Sequence, residues 1–134
     1  MKTTKILIAL LVIICSSVSI FAQDSEQKKD KVEVYYFHNK ARCVTCKAIE
    51  NESKNAVMDL YPKKFKSGLI TFKGVNLEDK INESLLKKLE ISGQTLLIVK
   101  ADKKINLTNE GFLYARTNPK KLKEIIKKNI DSIL

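Results

Sequence analysis

The chain's apolar positions follow two rhythms, one with the period of a strand and one with that of a helix. Val32-Glu33-Val34-Tyr35-Tyr36-Phe37 is rich in β-branched and aromatic residues and predicts a strand. Its nearly unbroken apolar end predicts a central strand covered on both faces. Behind it Cys46, Ile49, Ser53, Val57 and Leu60 recur at steps of three and four, one stripe of a helix ending near Pro62. Leu69-Ile70-Thr71-Phe72-Lys73-Gly74-Val75 predicts a second strand, entered through Ser67-Gly68. Asn76 and Asp79 resemble a capping box opening a second helix, with Ile81, Leu85, Leu86 and Leu89 as its buried face and Ser92-Gly93 as its stop. Thr95-Leu96-Leu97-Ile98-Val99 is short and wholly apolar, a buried strand, and Ile105-Asn106-Leu107-Thr108 is its hairpin partner across Ala101 to Lys104. Asn118 as N-cap and Pro119 at the first helical position open a last helix, whose buried face is Leu122, Ile125, Ile126, Ile130 and Ile133. Residues 110–116, with Tyr114 and Arg116, have no place in this pattern.

The order is β-α-β-α-β-β-α. Strand-helix-strand units imply parallel first strands with helices on both faces, and the late hairpin adds an antiparallel edge. The expected fold class is therefore α/β, a small three-layer sandwich around a four-stranded mixed sheet. With 134 residues there is room for one such domain, placed at 31–134, and no internal repeat is present.

The first stretch reads differently. Lys2 and Lys5 precede an apolar run from Ile6 to Ile14, followed by Cys15-Ser16-Ser17 and a small-residue exit at Ala22. This is the layout of a secretory signal peptide over 1–22, and the run is too short to span a bilayer. It implies a periplasmic or otherwise extracytoplasmic protein. An uncleaved membrane anchor and a lipoprotein site at Cys15 are the weaker alternatives, since Ile14 stands where such a site wants a small residue. Residues 23–30 are polar and form a tether.

Composition narrows the function. Hydrophobic residues are 44% of the chain and charged ones 30%, a globular balance. Lys and Arg number 25 against 15 Asp and Glu; without Lys2 and Lys5 the count is 23 against 15, a net charge of +8. Almost all of that charge is lysine scattered along the chain, with Arg42 and Arg116 as the arginines. Nucleic-acid readers concentrate arginine and interleave aromatics, so no nucleic-acid partner is expected. A single His excludes multi-His metal sites.

Once Cys15 leaves with the signal, two cysteines remain, in Cys43-Val44-Thr45-Cys46. They lie between a predicted strand and a predicted helix. Unpaired N–H groups and the dipole at a helix N-terminus stabilise a thiolate on Cys43, and Arg42 and Lys47 add positive field. Cys46 opens the apolar stripe and should be the buried sulfur. Cys43 is thus expected to attack a disulfide and Cys46 to resolve the mixed disulfide. A purely structural bond across so small a loop would restrain little of the unfolded chain.

The pair in this element order resembles the thioredoxin-like superfamily over roughly residues 31 to 133. More narrowly, Tyr35-Tyr36-Phe37-His38, Arg42-Cys43-Val44-Thr45-Cys46 and Ile49-Glu50 resemble an exported bacterial group, the ArsF family, whose name suggests an arsenic-resistance context. The resemblance implies a thioredoxin-like sandwich and a thiol–disulfide oxidoreductase. Its substrate would be a protein or small-molecule disulfide or thiol, recharged by a membrane thiol relay without a cofactor. Three departures stand out. Arg42 replaces the usual Trp before the first Cys. No acid is buried in Val34 to Phe37. Gln94-Thr95 stands where the superfamily places a cis-proline, whose loss favours soft-ligand binding. Val44-Thr45 matches neither the Gly-Pro of reducing thioredoxins nor the Pro-His of oxidising relatives, so the direction of electron flow stays open.

Two rival functions remain. One is a soft-metal or arsenite-binding protein using Cys43, Cys46 and His38. The other is a non-enzymatic interaction domain on the same scaffold. His38 either trades protons with the dithiol or, as a strand-end residue, only bonds the backbone. Glu50 is either a relocated acid for the Cys46 proton or an i,i+4 partner of Lys54. Tyr35, Tyr36 and Phe37 are expected in the core.

Overall fold

A computed structural model describes residues 30–134; the expected signal peptide (1–22) with Cys15, and all of the expected tether but Asp30, lie outside the described residues. A four-stranded sheet runs through the centre in the order β2-β1-β3-β4. Strand β1 is Val32–His38, β2 Ile70–Asn76, β3 Thr95–Lys100 and β4 Lys103–Asn106. β1 pairs parallel with β2, setting Tyr36 beside Gly74 and His38 beside Asn76. It pairs antiparallel with β3, setting Phe37 beside Thr95, and β4 closes the edge antiparallel to β3. This is the expected mixed sheet with the strand order of a thioredoxin-like fold.

β1 is central because both of its faces are apolar. Val32, Val34 and Tyr36 point into one core, with Ile49, Val57, Leu96, Ile98, Leu122, Ile126 and Ile130. Tyr35 and Phe37 point into the other, with Val75, Leu89, Leu97 and Val99. The period-two alternation of a strand deals successive side chains to opposite layers.

The first core is closed by α1 (Val44–Leu60) and α5 (Pro119–Asp131). Asn118 caps α5 as expected, its side chain accepting from Lys121 N at 3.1 Å. Leu122, Ile126 and Ile130 are fully buried, each stabilising the fold by roughly 1.5–3 kcal/mol. A short helix α2 (Pro62–Lys66) follows α1. Between them Tyr61 donates from its hydroxyl to Asp131 Oδ1 at 2.6 Å, tying the end of α1 to the end of α5. Among the described residues no helix is long and apolar enough to cross a membrane.

The second layer departs from expectation. Asn76 does not cap a helix; its side chain accepts from Glu78 N at 3.0 Å and closes a turn. A 3-10 turn over Lys80–Asn82 then precedes α3 (Glu83–Leu89). That turn swings Ile81 out to 86% exposure, so it is not part of the buried face. α3 ends at Glu90, which takes the left-handed C-cap conformation (φ 61°) ahead of Ser92-Gly93.

The edge also differs. β4 starts two residues before the expected strand, because Lys100 and Lys103 already pair around a tight turn. Leu107 and Thr108, expected within it, lead instead into an additional helix, α4 (Thr108–Tyr114), in the stretch that had no place in the pattern. Gly111 lets α4 settle on the core: a Cβ there would lie 3.2 Å from Ile49 Cγ2 and 3.4 Å from Leu96 Cδ2.

Candidate redox site

The site is built where β1 ends and α1 begins. Cys43 is the N-cap of α1, in an extended conformation (φ −74°, ψ 167°), and its Sγ accepts from Cys46 N at 3.1 Å. No acidic residue sits in the first turn, so no carboxylate competes for the positive end of the helix. Cys43 is exposed, while Cys46 behind it retains only 4% exposure and packs in the first core. The two sulfurs are joined in a disulfide, with Cα atoms 5.1 Å apart. Between them Val44 projects outward at 69% exposure and Thr45 is half-buried.

Arg42 and Glu50 form an ion pair, Nη1 to Oε2, with both side chains partly exposed. Glu50 therefore turns back toward the dithiol loop instead of pairing with Lys54. Space for its carboxylate comes from the sheet. Gly74 lies beside Tyr36 on β2, and a Cβ at that position would collide with Glu50 Oε1. His38 Nε2 borders the same gap, 3.7 Å from where that Cβ would be. The other ring nitrogen of His38, Nδ1, donates to the Asn39 carbonyl at 2.9 Å, the backbone bond expected of a strand-end histidine. Its ring also tilts against Tyr36, with centroids 6.0 Å apart.

Gln94 occupies the opposite wall, one residue before the Thr95 that pairs with Phe37. Its Oε1 lies 3.4 Å from Cys46 Sγ and also accepts from the Tyr36 hydroxyl at 3.4 Å. Burial pushes the Tyr36 phenol above its ordinary value, with the Arg42 charge pulling weakly the other way, so the hydroxyl stays a donor. Thr95 turns its hydroxyl to the Gly93 carbonyl at 2.9 Å and shapes the approach to β3.

Most of the residues singled out from sequence thus converge. Gln94 faces the Cys46 sulfur, and Arg42, next to Cys43 in the chain, pairs with Glu50, with His38 beside Glu50 at the gap over Gly74. Two contributors were not legible as such. Tyr36 was expected only as core, although a buried phenol needs a polar partner and that need is a usable signal. Gly74 carried no signal, because the side chain it accommodates comes from another element. Among the described residues no group of three or more His, Cys, Asp or Glu is arranged to hold a metal ion, so His38 is not gathered with the two sulfurs into such a set.

No protein-family model and no curated protein matches the chain. Solved structures similar to it include Trxlp from Edwardsiella tarda EIB202 (17% identity over 81% of this chain and 93% of that one, TM-score 0.49). Thioredoxin from Fasciola hepatica is also similar (20% identity, 79% and 88%, TM-score 0.47), as is thioredoxin from Trypanosoma brucei brucei (22% identity, 81% and 87%, TM-score 0.44). The fold is carried by the strand order and connections above, and the site by its own geometry, not by these overlaps.

Proposed function

We propose that the protein is an exported thiol–disulfide oxidoreductase in which Cys43 attacks and Cys46 resolves. One observation carries the reading: an exposed sulfur caps the head of α1 while its disulfide partner lies buried one turn behind. In the reducing direction the Cys43 thiolate attacks a substrate disulfide. A Cys43–substrate bond forms, the substrate S–S bond breaks and one substrate thiolate leaves. Cys46 then attacks Cys43 Sγ, the intramolecular disulfide forms, the Cys43–substrate bond breaks, and the proton of Cys46 passes to the second substrate sulfur, which leaves as a thiol. The substrate gains two electrons and the protein loses two; the oxidising direction is the reverse.

Arg42 supports the thiolate from the preceding residue, and Glu50 limits its field by pairing with it. Val44, beside the attacking sulfur, gives a disulfide-bearing substrate an apolar contact. The protein is read as a signal peptide (1–22), a polar tether (23–30) and a catalytic domain (31–134), placed in an oxidising compartment and recharged by a membrane thiol relay. The motifs around Tyr35 to His38, Arg42 to Cys46 and Ile49-Glu50 support a place near the exported ArsF group within the superfamily.

The test is equilibration of the protein in glutathione buffers of graded potential, with alkylation of free thiols read by mass. A reversible two-electron transition, together with reduction of a protein disulfide that Cys43→Ser abolishes, is the expected result. Absence of any exchange at either cysteine overturns the reading.

A further inference from the structure

We propose that Tyr36 and Gln94 are positioning residues that hold Cys46 as a neutral thiol when the pair is reduced; this deepens the exchange reading above and assigns its resolving step a gate. The argument is one of donors and acceptors. In the oxidised protein Gln94 Oε1 accepts from the Tyr36 hydroxyl and faces Cys46 Sγ, each at 3.4 Å. A carbonyl oxygen has two lone pairs and no proton. With Tyr36 donating into one of them, the amide is turned oxygen-first toward the sulfur. A reduced Cys46 then meets an acceptor. It satisfies that acceptor only as S–H, and a hydrogen bond to the neutral form disfavours ionisation. Burial of Cys46 in the first core acts in the same direction.

The other charged or titratable groups on the surrounding elements are Glu33, Tyr35 and His38 on β1, Arg42 and Cys43 before α1, Lys47, Glu50, Glu52, Lys54 and Asp59 on α1, and Glu110 and Tyr114 on α4, where Gly111 rests on Ile49 and Leu96. β3 adds no charge before Lys100. Arg42 and Glu50 neutralise one another. Tyr36 is the titratable group hydrogen-bonded to the residue that meets Cys46. The consequence is a division of ionisation states. Cys43 carries the charge in the resting reduced protein, and Cys46 ionises only during attack on the mixed disulfide, as its proton passes to the departing substrate sulfur.

The decisive experiment is a thiolate titration by ultraviolet absorbance in a Cys43→Ser background, where Cys46 is the sulfur observed and serine retains the helix cap. In that background Cys46 should ionise above the ~8.5 of a free thiol. Adding Tyr36→Phe releases the amide to turn its NH₂ toward the sulfur, and thiolate at a given pH should rise roughly tenfold. Adding Gln94→Glu places a charge there and should suppress the thiolate by a similar factor. A merely structural role would lower the denaturation midpoint and leave the titration unmoved. The proposal is overturned if Cys46 ionises below the free-thiol value with both residues intact, or if neither substitution moves its titration. Gln94→Glu is read independently should Tyr36→Phe fold poorly. The titration requires no exchange activity, so its outcome is separable from that of the glutathione equilibration.

Discussion

The carboxylate of Glu50 lies where a side chain at residue 74 would have to be, and Gly74 is what leaves the space open. The strand gives up a side chain so that a helix carboxylate can reach Arg42. Glycine is here a requirement of close approach, not of backbone conformation.

Gly74→Ala should therefore act on chemistry more than on stability. The atom it meets is the far end of a flexible side chain, and alanine removes the entropic penalty of a strand glycine, so stability should stay within about 1 kcal/mol of the parent. Displaced Glu50 no longer offsets Arg42, which leaves more positive field at Cys43. The pH profile of Cys43 alkylation should move to lower pH, as it should in Glu50→Gln. An unchanged profile in both variants refutes this role for the pair.

The two cysteines should fail in different ways. Cys46→Ser retains the exposed attacking sulfur without its resolver and should accumulate a mixed disulfide with substrate, visible on non-reducing gels. Cys43→Ser should accumulate none. Equal trapping by both variants would mean that the buried sulfur is as accessible as the exposed one, contrary to its 4% exposure.

Acid should loosen the seam between α1 and α5. Hydrogen bonds from Lys127 and then from Tyr61 hold the Asp131 carboxyl below the ordinary carboxylate range. A carboxylate depressed in the folded state contributes stability above its unfolded value, and that contribution is lost as pH falls through the folded one. Between pH 5 and 2 the urea midpoint of Asp131→Asn should fall less steeply than that of the parent. Parallel acid limbs would show that the tie carries no pH-dependent stability.

Gly111→Val should cost roughly 1–3 kcal/mol, the usual range for overpacking. Its added carbons enter a space bounded by Ile49 and Leu96, both fully buried. Denaturant unfolding with an unchanged slope and a lower midpoint is the expected result. A midpoint equal to the parent's would mean that α4 is free to slide away from the core.

What was legible beforehand follows from how local each cause is. The run Val34 to Phe37 announced a strand buried on both faces because each residue carries its own apolar surface. The division of the cysteines was legible because Cys46 opens the stripe of α1 and Cys43 precedes it. Ile81 misled because three residues of 3-10 turn rotate it away from the face that helical spacing assigns. Helix α4 was hidden by Gly111, which weakens helix propensity and makes sense only against Ile49 and Leu96. The partner of Glu50 was not legible for a related reason: helical spacing offers Lys54, four residues on, whereas Arg42 is brought to it by the turn before α1.

The alternation along β1 also makes the molecule one-sided. Cys46, Tyr36 and Ile49 belong to the layer beneath α1, whereas Tyr35 and Phe37 face the layer beneath α3. Rearrangement on making or breaking the sulfur–sulfur link enters the first layer directly and reaches the second only through the backbone of the sheet. The α3 side is thus a foundation whose surface can be changed without touching the layer that holds the disulfide.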